Sequence, residues 1–191
     1  MKGMWLQSES LLTAQERAML LREAQKERPV HGQRNERPGW RIADGGQFLG
    51  PARFSYCLTG DSRLAIQQKL AERASELLGL RLEPVQSNYL YYEHGDFLGL
   101  HHDQQRCPYT IVALLEGEAE PLCLHPEQMN TPPGELAPLL DPDGHRGGLG
   151  VSLADGPLLI AGTRVPHHRD PHLDAGTITI GTFCFAPAAN G

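Results

Sequence analysis

The chain has 191 residues with a formal net charge of −6 and no long run of lysine or arginine, which argues against a nucleic-acid partner. Its apolar stretches fall far short of a membrane span, and Met1-Lys2-Gly3-Met4-Trp5 leads into polar residues, so neither membrane insertion nor a signal peptide is expected. Cys57, Cys107, Cys123 and Cys184 are scattered without a CxxC pair, which suits free structural thiols and a cytoplasmic location.

The length suits one domain, with residues 1–80 as a helical support and loop and 81–191 as a β core. Thr13-Ala14-Gln15-Glu16 is a capping-box pattern that opens a helix. Leu20, Leu21 and Ala24 form its apolar side, and Pro29 is expected to stop it near Glu27. Residues 31–50 are polar and Gly-rich and read as a surface loop able to close over a pocket. Phe54 to Leu58 reads as a short strand. A second helix is expected from about Ser62 to Leu78, with Leu64, Leu70, Ala74, Leu77 and Leu78 at helical spacing and Gly79 in the C′ position.

Beyond Gly79 the hydrophobic period changes to that of strands. Segments 85–92, 98–103, 109–115, 121–125, 157–161, 164–170 and 177–185 all read as β-strands. The stretch 130–150, rich in Pro, Gly and Asp, reads as a long insertion. Two helices followed by seven or eight strands predict a mostly β fold in which helices back a jelly roll.

The densest chemistry lies in His101-His102-Asp103. In an extended strand, positions i and i+2 share a face, so His101 and Asp103 converge while His102 turns away. A second His-rich segment, Val165-Pro166-His167-His168-Arg169-Asp170, follows. Two histidines and one carboxylate, with the other positions open, form the facial ligand set of non-haem Fe(II) oxygenases. Alternation allows only one of His167 and His168 to face inward, and the pair stays open at this point. His94, His125, His145 and His172 read as surface or loop residues.

From Gln86 to Phe185, about half of the chain, the sequence resembles the iron(II)/2-oxoglutarate-dependent dioxygenases, in particular their prolyl-4-hydroxylase-like branch. The motifs that carry the resemblance are Tyr92, Gly95, His101-x-Asp103 and Thr110-x-x-x-x-Leu115, then Leu158-Leu159-Ile160-Ala161-Gly162, Pro166-His167-His168, and Gly176 before the last strand. The resemblance implies a double-stranded β-helix, a cupin-like jelly roll. It implies Fe(II) held by His101, Asp103 and a distal histidine. His167, which fits the Pro-His-x-Arg-Asp pattern, is the favoured distal ligand, and His168, which fits the spacing to Gly176, is the alternative. It further implies 2-oxoglutarate and O₂ as cosubstrates, consumed to succinate and CO₂ as an aliphatic C–H is hydroxylated. The carboxylate at Asp103 favours hydroxylation or desaturation over halogenation. An amino acid, a peptidyl side chain or a small metabolite would be the substrate.

The chain departs from the family at the cosubstrate's far carboxylate. The usual arginine, two residues past the glycine of the last strand, is Ile178 here, and the usual tyrosine is Leu114. Arg169, at i+2 from His167, offers a bidentate fork on the same face. Arg106 lies near the edge, and Tyr92 and Thr110 offer hydroxyls. The alternatives are an iron oxygenase independent of 2-oxoglutarate and a non-catalytic binding module on the same fold.

Overall fold

The computed structural model describes residues 4–58, 61–140 and 147–189. In chain order the strands are β1 (Trp5–Gln7), β2 (Gln33–Arg37), β3 (Arg41–Ala43), β4 (Gln47–Leu49), β5 (Ala52–Cys57), β6 (Leu82–Tyr92) and β7 (Phe97–His101). They continue as β8 (Tyr109–Glu116), β9 (Leu122–Leu124), β10 (Leu149–Val151), β11 (Leu158–Ile160), β12 (His167–Arg169) and β13 (Ile178–Pro187). Helix α1 spans Ala14–His31 and α2 spans Asp61–Leu78. Among the described residues no helix is long and apolar enough to cross a membrane.

All strand pairs are antiparallel, in the order β1-β11-β8-β13-β6-β5-β7-β12-β9-β10. Strand β5 joins the two halves of the roll. Its end, Ser55–Cys57, pairs with β6, while its start, Ala52 and Arg53, pairs with β7. The sheet thus curls on itself, as a double-stranded β-helix does.

Alternation along the long strands builds two cores. Tyr89 and Tyr91 of β6, Ile111 and Ala113 of β8, and Phe183 and Phe185 of β13 face the helices, where they meet Leu20, Ala24, Leu70 and Ala74. Tyr92, Val112, Leu114, Ile178 and Ile180 face the interior of the roll with Leu122, Leu124, Leu158, Ile160 and Val165. Strand β8 is therefore apolar on both faces, and its sequence reads as a near-continuous hydrophobic run.

The helices match expectation at one point and differ from it at two. The capping box forms: Thr13 accepts from the Glu16 N–H and Glu16 accepts from the Thr13 N–H. Pro29, however, sits inside the last turn. It forfeits one donor, yet α1 continues to His31, and the Gly32 N–H still bonds the Arg28 carbonyl. In α2 the buried stripe is Ile66, Leu70, Ala71 and Ala74, whereas Leu64 and Leu77 are exposed.

The expected loop over residues 31–50 is a set of strands. Strand β2 pairs along its length with β5, and β3 pairs with β4. Along β2 polar residues suffice because backbone ladder bonds to β5, not an apolar face, hold this edge, whereas β4 also buries Phe48. Arg34 adds a two-pronged bond to buried Asp96 at 2.7 and 2.6 Å, and Arg53 reinforces it. Within the expected insertion, 3-10 turns at Pro133–Glu135 and Ala137–Leu139 flank Leu136, which buries against Phe48 and Leu100, and β10 pairs with β9. The expected insertion also includes His145, which lies outside the described residues.

Candidate metal centre

Strands β7 and β12 are neighbours, and His101 and His167 are register partners across them. Partners in register point to the same side of the sheet, here into the roll. Their ring centroids lie 4.1 Å apart. Asp103 follows β7, and its Oδ1 lies 3.8 Å from His101 Nε2 and 3.7 Å from His167 Nε2. One ligand atom from each of the three residues lies within 4.8 Å of the others.

Backbone and side-chain contacts aim all three. His101 Nδ1 bonds the Gly99 carbonyl at 3.0 Å, and His167 Nδ1 bonds the Val165 carbonyl at 2.9 Å. A carbonyl only accepts, so each Nδ1 carries the proton and each Nε2 turns its lone pair to the common point. Burial, then the neighbouring His167, keeps the His101 ring neutral by pushing its pKa well below the usual histidine range. Thr110 donates its hydroxyl to Asp103 Oδ2 at 2.5 Å, which leaves Oδ1 for a metal. Gly162 makes room: a Cβ there would stand 1.8 Å from Asp103 Oδ2, and the Gly162 carbonyl accepts the Asp103 N–H at 2.9 Å. Neutral imidazoles and a carboxylate, aimed from behind and open in front, fit a ferrous ion.

The three ligands open onto a cavity of about 280 Å³. Its walls are apolar at Leu98, Val112, Leu122 and Ile180, and polar at Asn35, Gln47, Asn88 and Thr182. Tyr92 and Arg169 also line it. Arg169 is fully buried; its Nη1 donates to the Glu120 carbonyl at 2.6 Å and its guanidinium lies 5.4 Å from the Tyr92 ring centroid. No carboxylate pairs with it among the described residues. Burial raises the Tyr92 hydroxyl to about 12, against the opposing charge of Arg169, so it remains a hydrogen-bond donor. Ile178, where the sequence resemblance leads one to look for an arginine, belongs to the apolar core.

The remaining residues singled out in the sequence divide clearly. Arg106 is exposed and held by Gln104 and Gln86, and it does not line the cavity. His168 faces the opposite side of β12, 2.9 Å from His125. His125 and His172 are buried rather than on the surface: His172 bonds Glu120 and the Gly176 carbonyl, which closes the segment after β12. Sequence reading missed Arg37, on β2, because its segment was read as a loop. Arg37 lines the cavity, donates to the Gly50 carbonyl, and has its pKa lowered to about 10 by burial, then by Arg41. It has no carboxylate partner among the described residues.

No protein-family model and no curated protein sequence matches the chain. Solved structures do. A Pseudomonas putida prolyl-4-hydroxylase is 16% identical, with 98% of this chain and 95% of that one covered and a TM-score of 0.58. The non-haem α-ketoglutarate-dependent epimerase SnoN of nogalamycin biosynthesis is 18% identical, with 97% and 77% covered and a TM-score of 0.64. A Trichoplax adhaerens prolyl hydroxylase, solved with a hypoxia-inducible-factor peptide fragment, is 12% identical, with 97% and 84% covered and a TM-score of 0.61. Together with the curled antiparallel sheet, these likenesses give the chain the double-stranded β-helix fold of the iron(II)/2-oxoglutarate oxygenases.

Proposed function

We propose that the protein is a non-haem Fe(II)- and 2-oxoglutarate-dependent oxygenase that hydroxylates an aliphatic C–H of an amino acid, a peptide or a small metabolite. The observation that carries this reading is the convergence of His101, Asp103 and His167 on one point in the wall of a cavity. When bound there, ferrous iron with 2-oxoglutarate and O₂ supplies the oxidation, in which one oxygen atom enters the substrate and the other enters succinate as CO₂ is released.

The chain's own residues hold and shape that chemistry. His101, Asp103 and His167 occupy one side of the ion and leave the cavity side open. Arg169 is the anchor for the far carboxylate of 2-oxoglutarate: a fully buried cation without an anionic partner is costly, and a carboxylate offsets that cost. The Tyr92 hydroxyl stands beside it as a second donor. Thr110 serves Asp103 rather than the cosubstrate. Leu98, Val112, Leu122 and Ile180 keep water from the reacting carbon. Arg37, the second cavity arginine, favours a substrate that carries a carboxylate or another anion. A peptidyl substrate finds support in the Trichoplax hydroxylase, which was solved with a peptide.

The test is succinate formation from 2-oxoglutarate, with Fe(II) and O₂, across a panel of anionic amino acids, peptides and metabolites. Turnover that is absent in His101→Ala is the expected outcome. Tight iron binding without measurable 2-oxoglutarate affinity would favour an oxygenase that uses a different electron source.

A further inference from the structure

Strand β12 leads into a second His-x-Asp. His168 and Asp170 repeat the spacing of His101 and Asp103, but alternation turns them to the outer face of the sheet, away from the cavity. Register sets Cys123 of β9 directly opposite His168. A thiol, an imidazole nitrogen and a carboxylate oxygen consequently lie within 4.8 Å of one another.

His168 is aimed from behind. Its Nδ1 lies 2.9 Å from His125 Nε2, and His125 Nδ1 lies 3.2 Å from Glu127 Oε1. The Glu127 carboxylate can only accept, so His125 Nδ1 carries a proton and, in the neutral ring, His125 Nε2 accepts from His168 Nδ1. The lone pair of His168 then sits on Nε2, 3.3 Å from Asp170 Oδ1. A cation placed between them, with Cys123 Sγ within 4.8 Å of both, would be ligated by all three.

We propose that Cys123, His168 and Asp170 bind a divalent cation of the zinc class, at a site separate from the iron centre. Thiolate with imidazole and carboxylate suits zinc, whereas the inner set has only nitrogen and oxygen ligands. Zinc bonds of about 2.05 Å in a tetrahedral arrangement put nitrogen and oxygen about 3.3 Å apart. That matches the His168–Asp170 separation of 3.3 Å. The Asp170 side chain is 45% exposed, which gives the ion a route from solvent and water a fourth position. Thiolate and carboxylate together neutralise its charge. The His125–Glu127 relay is the supporting shell that metal-ligating histidines require. A cation here ties β9 to β12, the strand whose inner face carries His167, and so braces the iron centre from outside.

The experiment is anaerobic Co(II) titration of the metal-free full chain, followed by absorption and by stoichiometry. The wild type should bind two ions, one of which gives a sulfur-to-cobalt charge-transfer band. Asp103→Ala should bind one ion and keep the band, whatever becomes of the iron-centre reading. Cys123→Ser should abolish the band and weaken the outer ion at least about a hundredfold. Asp170→Asn, at a half-exposed position, should weaken the same ion and serves if Cys123→Ser does not fold. A chain that binds no second ion, or a band unchanged in Cys123→Ser, overturns the proposal.

Discussion

His167 and His168 are adjacent on one short strand, yet they belong to different chemistry. The inner face of β12 joins His167 to His101 and Asp103 beside a cavity of about 280 Å³, and it adds Arg169 two residues on. The outer face joins His168 to Cys123, Asp170 and the His125–Glu127 pair. Residue type does not separate them; the strand face and the register of the two flanking strands do. Strand β7 brings His101 and a hard oxygen ligand to one side, and β9 brings a thiol to the other.

The largest effect expected is from Asp103→Ala, which breaks the inner face alone. Iron affinity and turnover should each fall at least about a hundredfold, with the outer ion retained, as read by metal analysis and succinate release. His167→Ala and His168→Ala sharpen the contrast: the first should remove turnover and the inner ion, and the second only the outer ion. Should His168→Ala abolish inner-site binding and His167→Ala spare it, the facing of β12 is wrong.

Arg169→Met should raise the Kd for 2-oxoglutarate about a hundredfold, the loss of a charge-assisted pair, while iron affinity without cosubstrate changes little. Calorimetric titration with each ligand separates the two. Gly162→Ala and Thr110→Val disturb Asp103 from behind and should weaken iron about tenfold.

The smallest effect lies away from both faces. Arg73, which hydrogen-bonds Glu16, outweighs burial and holds the Glu16 carboxyl at about 2, below its usual 4.5. A carboxyl depressed by folding stabilises above its unfolded pKa, and that stability fades as pH falls from 4.5 towards 2. Glu16→Gln should therefore lower stability at neutral pH by at most about 3 kcal/mol and flatten the acid limb of a urea-denaturation series. Both metal sites should be unaffected at neutral pH.

Much of this was legible in the sequence, for physical reasons that vary by region. Strands β8 and β13 bury both faces over most of their length, so their apolar runs stand out, and alternation there and in the second half of β6 separates the helix-facing from the cavity-facing side. Strands β2 and β3 left no such trace: their mostly polar side chains are compatible with a loop, and backbone ladder bonds make them strands, while β4 adds only one buried apolar residue, Phe48. The His-x-Asp at 101–103 announces itself by spacing, and Arg169 follows from i+2 alternation once His167 faces inward. The choice between His167 and His168 needs the pairing of β12 with β7, which no local pattern encodes. Gly162 was visible only as part of a motif; that its missing Cβ accommodates Asp103 is a tertiary fact. The second His-x-Asp, at His168 and Asp170, was present in the sequence at the same spacing, but its thiol partner is 45 residues upstream by number and adjacent only in the sheet.

The central claim is that His101, Asp103 and His167 gather on one ferrous ion. Anomalous diffraction at the iron edge, from crystals grown anaerobically with Fe(II) and 2-oxoglutarate, tests it most directly. The account predicts one strong peak at bonding distance from His101 Nε2, Asp103 Oδ1 and His167 Nε2, with the cosubstrate's far carboxylate on Arg169. A peak bound by His168 instead, or no peak between the three, would contradict it.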